Sequence, residues 1–235
     1  MKLSIIIPVH NNWNFTKSCL TDLAKLQIEN EVFVIDNASR DDTVYLNPSE
    51  DRDLLCDDRP ANLKYVRNNE NLGFAKACNE GYVRSSGEFV LFLNNDIRVQ
   101  QNHEAWVKLL IDAAEDGSLV GPTGGLLDAN LNFVKETDKL EKGNFYMSGW
   151  NLLARRETFD SLIINNYSGP FSEEFGLAYF EDTDLGMRAK RQGINMKIVP
   201  VPVIHFGKMT SRKLNTADLY LSAKTKFKNK WIKHI

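Results

Sequence analysis

Three apolar runs in this chain stop abruptly at polar side chains, and this restricts the available folds more than any other feature. "LSIIIPV" (Leu3–Val9) runs into His10 and Asn11, "EVFVI" into Asp36 and Asn37, and "VLFL" (Val90–Leu93) of the strand "EFVLFL" into Asn94, Asn95 and Asp96. Each run is apolar at successive positions, so each reads as a strand covered on both faces. Helical periods lie between them. Phe15, Cys19, Leu20, Leu23 and Leu26 share one face of a first helix, with Asn12 or Asn14 as its cap. Phe74, Ala77, Cys78, Gly81 and Tyr82 share one face of a second, with Gly87 as its stop. "LKYVRN" is a further short strand, and Trp106, Leu109, Leu110 and Ala113 mark a third helix. This alternation predicts an α/β fold: a mostly parallel sheet flanked by helices.

In such sheets ligands bind beyond the carboxyl ends of the strands. The polar clusters are therefore expected along one rim: Pro8, Val9, His10 and Asn11; Asp36 and Asn37; Asn94, Asn95 and Asp96. Any one cluster reads equally well as a strand-terminal turn, because Asn and Asp favour turns. Three in the same topological position do not. The second half is less regular. "SLVGPTGGLL" reads as a strand with a Gly-rich turn, and "NFYMSGWNLLARRETFD" as a strand or strand–helix join. "EDTDLGMRAKRQG" reads as a helix with acids first, bases last and Gly193 as terminator. "NMKIVPVPVIHFG" reads as one edge strand, because Pro200 and Pro202 cannot serve a central one.

A net charge of −2 over 235 residues argues against a generic nucleic-acid binder. The charge is uneven, however. Asn37 to Asn62 holds seven acids and three bases, whereas Met187 to Ile235 holds twelve Lys or Arg and one acid, Asp218. The tail "LYLSAKTKFKNKWIKHI" puts Tyr220, Ala223, Phe227 and Trp231 on one stripe with lysines around it. Such a helix either packs on the body or makes a peripheral contact with an anionic membrane surface. Cys19, Cys56 and Cys78 have no metal-ligand spacing and read as reduced thiols, which implies a cytoplasmic protein. There is no GxGxxG and no P-loop.

Four segments, in order and with compatible spacing, resemble the family-two glycosyltransferases with the GT-A (nucleotide-diphospho-sugar transferase) fold. They are "LSIIIPVHNN", "VFVIDNASRDDT", "NENLGFAKACNEGYVRSSGEFVLFLNNDI" and "GPFSEEFGLAYFEDTDLGMRAKRQG". "NLGFA" with "LNND", and the later "HFG", are most similar to the rhamnosyltransferase-like branch, which implies rhamnose as the donor sugar. The resemblance covers nearly the whole chain as one domain. Residues 1–98 would form the nucleotide-sugar-binding half. Residues 99–235 would form the acceptor-binding half, ending in the basic helix. It implies an inverting transfer from a UDP- or dTDP-sugar to a hydroxyl of a glycan or lipid-linked acceptor, assisted by Mn²⁺ or Mg²⁺.

The resemblance assigns roles to residues. Asp96 is the implied metal ligand, since hard cations want oxygen donors and offset the charge of a departing diphosphate. The family pattern has a second Asp two places earlier; here that place is Asn94, which contributes no charge. His205 is the implied second ligand, and imidazole beside carboxylate favours Mn²⁺. A lone His otherwise serves structure as readily. Asp36, with Asn37, is implied for the nucleoside. Asn71, Gly73 and Lys76, at the start of the second helix, are implied for the diphosphate, although Lys76 reads equally as helix surface. Trp150 and Asn151 of "SGWNLL" are implied acceptor contacts, the ring against a sugar face. Asp182 is the implied general base and Glu181 a contact to the acceptor. From the residues alone, Glu181, Asp182 and Asp184 are also what a helix first turn wants, and a helix N-terminus weakens a carboxylate as a base. Two other readings stay open. A sugar-phosphate nucleotidyltransferase would want a Gly-rich loop after the first strand, which "PVHNNWNFTK" lacks. A non-catalytic sugar-nucleotide-binding module is compatible with Asn94.

Overall fold

The computed structural model describes residues 2–47, 58–207 and 216–234. From the amino terminus the chain forms β1 (Leu3–Val9), α1 (Trp13–Leu23), β2 (Asn30–Asp36), β3 (Leu63–Arg67) and α2 (Phe74–Arg84). β4 (Phe89–Leu93), β5 (Ile97–Val99), α3 (Ala105–Ala114), β6 (Leu119–Gly121) and β7 (Gly124–Leu127) follow. Next come β8 (Phe133–Thr137), β9 (Asn144–Met147), β10 (Asn151–Arg155) and α4 (Arg156–Ser161). The chain continues through α5 (Glu181–Arg191), β11 (Met196–Ile198), β12 (Val203–His205) and α6 (Thr216–Trp231).

The central sheet has seven strands in the order β11-β6-β10-β4-β1-β2-β3. β1 runs parallel to β2 and β4, and β2 to β3. β10 is antiparallel to both its neighbours, β4 and β6. The period-2 pleat splits the core into two layers. Ile5, Ile7, Leu91 and Leu93 pack with Leu20 and Leu23 of α1 and with Trp106 and Leu110 of α3. Ile6, Phe33, Ile35 and Phe92 pack with Ala77 and Tyr82 of α2, Phe159 of α4 and Leu185 of α5. Each fully buried Leu, Ile or Phe contributes about 1.5–3 kcal/mol.

Several local expectations are corrected. Neither Asn12 nor Asn14 caps α1 with its side chain; the Trp13 N–H instead donates to Asp41 Oδ2 at 2.8 Å. α2 ends at Arg84, before Gly87. Gly87 is needed for close approach: its N–H donates to Ser4 Oγ at 2.7 Å, and a Cβ there would lie 2.6 Å from the Ser4 backbone nitrogen. The expected single edge strand near the end is two strands. β11 pairs with β6, while β12 pairs antiparallel with β5, and the prolines between them break the run. "SLVGPTGGLL" likewise divides between β6 of the main sheet and β7 of a three-stranded sheet, β8-β7-β9.

The apolar stripe of α6 is occupied. Ala223, Phe227 and Trp231 pack with Phe175, Phe180, Met187, Leu127 and Leu131. That face is therefore not available for insertion into a lipid surface. Among the described residues no helix is long and apolar enough to cross a membrane. Cys19 and Cys78 are buried free thiols, and Cys56 lies outside the described residues.

Candidate active site

Val9 pairs with Asp36 and Ile6 with Phe92, so the three polar strand ends emerge side by side. Much of this rim is bonded to itself. Asp36 is fully buried. Its Oδ1 accepts from the Ser39 N–H at 2.8 Å; its Oδ2 accepts from the Tyr65 hydroxyl at 2.5 Å and from the Arg67 guanidinium. Burial and the Asp36 carboxylate push the Tyr65 phenol well above its ordinary range. Asn37 donates to the Gly73 carbonyl at 3.1 Å and accepts from Asn68 at 3.0 Å. His10 Nδ1 lies 2.6 Å from the Asn37 carbonyl, and Asn11 accepts from the Arg40 N–H at 2.7 Å. Pro8 and Val9 lie in β1, opposite Ile35 and Asp36. What Asp36 presents outward is thus Tyr65 and the partly exposed Arg67. Sequence reasoning missed both; nothing in "LKYVR" marks them except their place on a strand beside Asp36.

The start of α2 is covered. Asn71 accepts from the Gly73 N–H at 3.0 Å. Gly73 has φ +87°, and a Cβ there would meet Leu177 Cα at 2.6 Å. The Phe74 N–H donates to the Leu177 carbonyl at 2.9 Å, so this amide is not free to hold a diphosphate as expected. Lys76 is exposed on the helix.

Beyond β4 the residues converge. His205 Nε2 lies 3.1 Å from Asp96 Oδ1 and 3.2 Å from the Asn94 amide nitrogen. The Trp150 ring stacks on His205, centroids 4.6 Å apart. Its Nε1 donates to Thr123 Oγ1 at 2.8 Å, and its carbonyl accepts from the Asn94 N–H at 2.8 Å. Asn95 turns inward and donates to Thr16 Oγ1 at 2.8 Å. A carboxylate oxygen and an imidazole nitrogen this close fit a divalent cation, with Asn94 contributing an oxygen if its amide is turned over. No cluster of three His, Cys, Asp or Glu is present among the described residues, so the remaining ligands would be diphosphate oxygens and water. Trp150 is engaged here and is not an open sugar platform. Asn151, also expected at the acceptor, is fully buried opposite Leu93, and neither of its amide atoms has a partner.

The second carboxylate centre begins α5. Asp182 Oδ2 accepts from the Gly149 N–H at 3.0 Å, and Oδ1 from the Thr183 N–H at 2.6 Å. Burial raises the Asp182 pKa, and these hydrogen bonds only partly oppose it. Glu181 is buried and its Oε2 has no partner. Burial first, and the neighbouring Asp182 second, raise its pKa to about 8. Asp184, in the same turn, serves the fold: it accepts from Ser172, Arg188 and Trp231.

The sequence profile of glycosyl transferase family 2 matches residues 4–170. The chain belongs to this family. The family-2 match ends before Glu181 and Asp182, whose assignment rests on the resemblance and the geometry. EpsH of Bacillus subtilis (strain 168) is 22% identical over 220 residues, covering 87% of this chain and 60% of EpsH. A crystal structure of S. aureus TarS superposes with TM-score 0.56 at 21% identity, covering 86% of this chain and 60% of that one. The mannosyltransferase PcManGT from Pyrobaculum calidifontis superposes with TM-score 0.55 at 18% identity, covering 84% and 54%. These likenesses bear out the GT-A fold. The chain spans about 60% of the length of EpsH and of this TarS structure.

Proposed function

We propose that this chain transfers a sugar from a nucleoside diphosphate sugar to a hydroxyl acceptor with inversion at the anomeric carbon. One observation carries the reading. Consecutive residues of a single turn, Gly149 and Trp150, hold Asp182 by a backbone N–H and pack on His205 beside Asp96. Two centres of chemistry are thereby tied at a fixed separation. Asp96 and His205 would hold a divalent cation, which when bound supplies Lewis acidity to the departing diphosphate. The rest falls to this chain's own groups. Tyr65 and Arg67, oriented by Asp36, would contact the nucleoside. Asp182 would take the proton of the acceptor hydroxyl as its oxygen attacks. Its raised pKa offsets the weakening that a helix N-terminus imposes on a base. Glu181, its pKa raised by burial and by Asp182, would donate a hydrogen bond from its protonated carboxyl to the acceptor.

TarS has been solved with UDP and with UDP-GlcNAc, and PcManGT with GDP-Man and Mn²⁺. Uridine donors are therefore tried first, and dTDP-rhamnose second because of the rhamnosyltransferase-like segments. The acceptor would be a glycan or lipid-linked hydroxyl, reached in the cytoplasm with α6 lysines facing an anionic membrane surface. A non-catalytic sugar-nucleotide-binding module is the second reading, favoured by Asn94 standing in for a carboxylate. A screen of radiolabelled UDP-, dTDP- and GDP-sugars for slow donor hydrolysis with Mn²⁺ needs no acceptor. Hydrolysis of one donor is expected; binding without hydrolysis of any would favour the module.

A further inference from the structure

The start of α5 is gripped from α6, an element beyond the family match. Tyr179 and Phe180, the two residues before Glu181, have φ of +79° and +70°. Bulky residues in succession in this region are strained and persist only where neighbours hold them. The holding rings come from α6. Tyr220 meets Tyr179 edge-on, with centroids 5.5 Å apart and planes at 86°, and lies 5.4 Å from Phe180. Phe227 stacks on Phe180 at 5.0 Å. A second grip acts within the first turn of α5. Asp184 accepts from the Trp231 indole and the Lys230 ammonium, each at 2.8 Å. The two grips fall on either side of Asp182.

We propose that α6 is a positioning clamp for the proton-accepting end of α5, with Tyr220 as its main positioning residue. This rests on the reading of Asp182 as the base. The left-handed pair turns the chain from Leu177, docked over α2, into the first turn of α5. The Tyr179 backbone also hydrogen-bonds the Glu181 carboxyl group. Without the Tyr220 ring the pair relaxes toward ordinary φ and swings Glu181 and Asp182 out of line. A misplacement of about 1 Å lowers a rate about a hundredfold. The donor-side contacts, His205 with Trp150 and Asp36 with Tyr65 and Arg67, involve no residue of α6, so nucleotide binding is spared.

The test compares Tyr220→Ala with Tyr220→Phe, which keeps the ring. Turnover at saturating donor is expected to fall at least about tenfold in Tyr220→Ala, with UDP affinity changed less than about twofold, and Tyr220→Phe restores it. Amide exchange at Asp184, whose N–H donates to the Phe180 carbonyl at 2.8 Å, speeds up in Tyr220→Ala and not in Tyr220→Phe. Unchanged exchange in Tyr220→Ala overturns the proposal whatever the turnover, and so does unchanged turnover in an enzyme that Asp182→Asn inactivates. If Asp182→Asn keeps full turnover while exchange at Asp184 responds to Tyr220→Ala, the base assignment fails and the clamp stands. Should the alanine variant not fold, Tyr220→Leu keeps apolar bulk without the ring edge and carries the same expectations.

Discussion

Trp150 lies flat on His205, their ring centroids 4.6 Å apart and their planes 8° from parallel. The stack fixes the imidazole against Asp96, 3.1 Å away, while Gly149 holds Asp182. Trp150 therefore supports the Asp96–His205 pair that we propose to hold the cation, whereas the resemblance implied an acceptor contact. Trp150→Ala should weaken Mn²⁺-dependent UDP binding about tenfold, the usual effect of losing a group that orients a metal ligand. UDP binding in EDTA should hardly change. Calorimetric titration with and without the metal checks this; equal losses under both conditions would show that Trp150 acts on the nucleotide instead.

Glu181 links folding to pH. Its folded pKa of about 8 lies above the unfolded value of 4.5, raised by burial first and by Asp182 second. The folded state therefore holds this proton more tightly. The resulting stability is complete below about 4.5 and is lost as pH rises through about 8. The loss is on the order of a few kcal/mol. Melting curves from pH 5 to 9 should show this decline in the wild type and a flatter profile in Glu181→Gln. Parallel profiles would mean that Glu181 ionises normally.

Gly73 supports the loop that leads to the acids. Its φ is +87°, and Leu177 Cα lies 2.6 Å from where a Cβ would stand, so Gly73→Ala should destabilise by more than about 1 kcal/mol. It should also raise protease sensitivity between Gly176 and Phe180, because the Phe74-to-Leu177 hydrogen bond is lost. A variant with unchanged stability and unchanged cleavage would show that this close approach is not needed.

The strand and helix order of the first half is legible because buried parallel strands are apolar on both faces, as in Ile5 to Ile7 and Val90 to Leu93. Their polar ends fall on one rim because parallel strands share a direction. What the residues do at that rim is less legible. Asp36 is in the expected position, yet its carboxylate is taken up by Tyr65 and Arg67, partners about thirty residues away that no local pattern reveals. The same holds for α1, whose first amide is satisfied by Asp41 rather than by a neighbouring Asn. β8 escaped notice because Phe133 and Val134 are exposed and show no one-sided pattern. Asp184 reads as one more first-turn acid until the fold brings Trp231 and Lys230 to it.

The most direct measurement is donor turnover and UDP affinity in Asp182→Asn, which keeps the shape of the side chain and removes the proton acceptor. Transfer should fall by at least about a hundredfold while UDP binds with unchanged affinity. Wild-type transfer rates in Asp182→Asn would contradict the account at its centre.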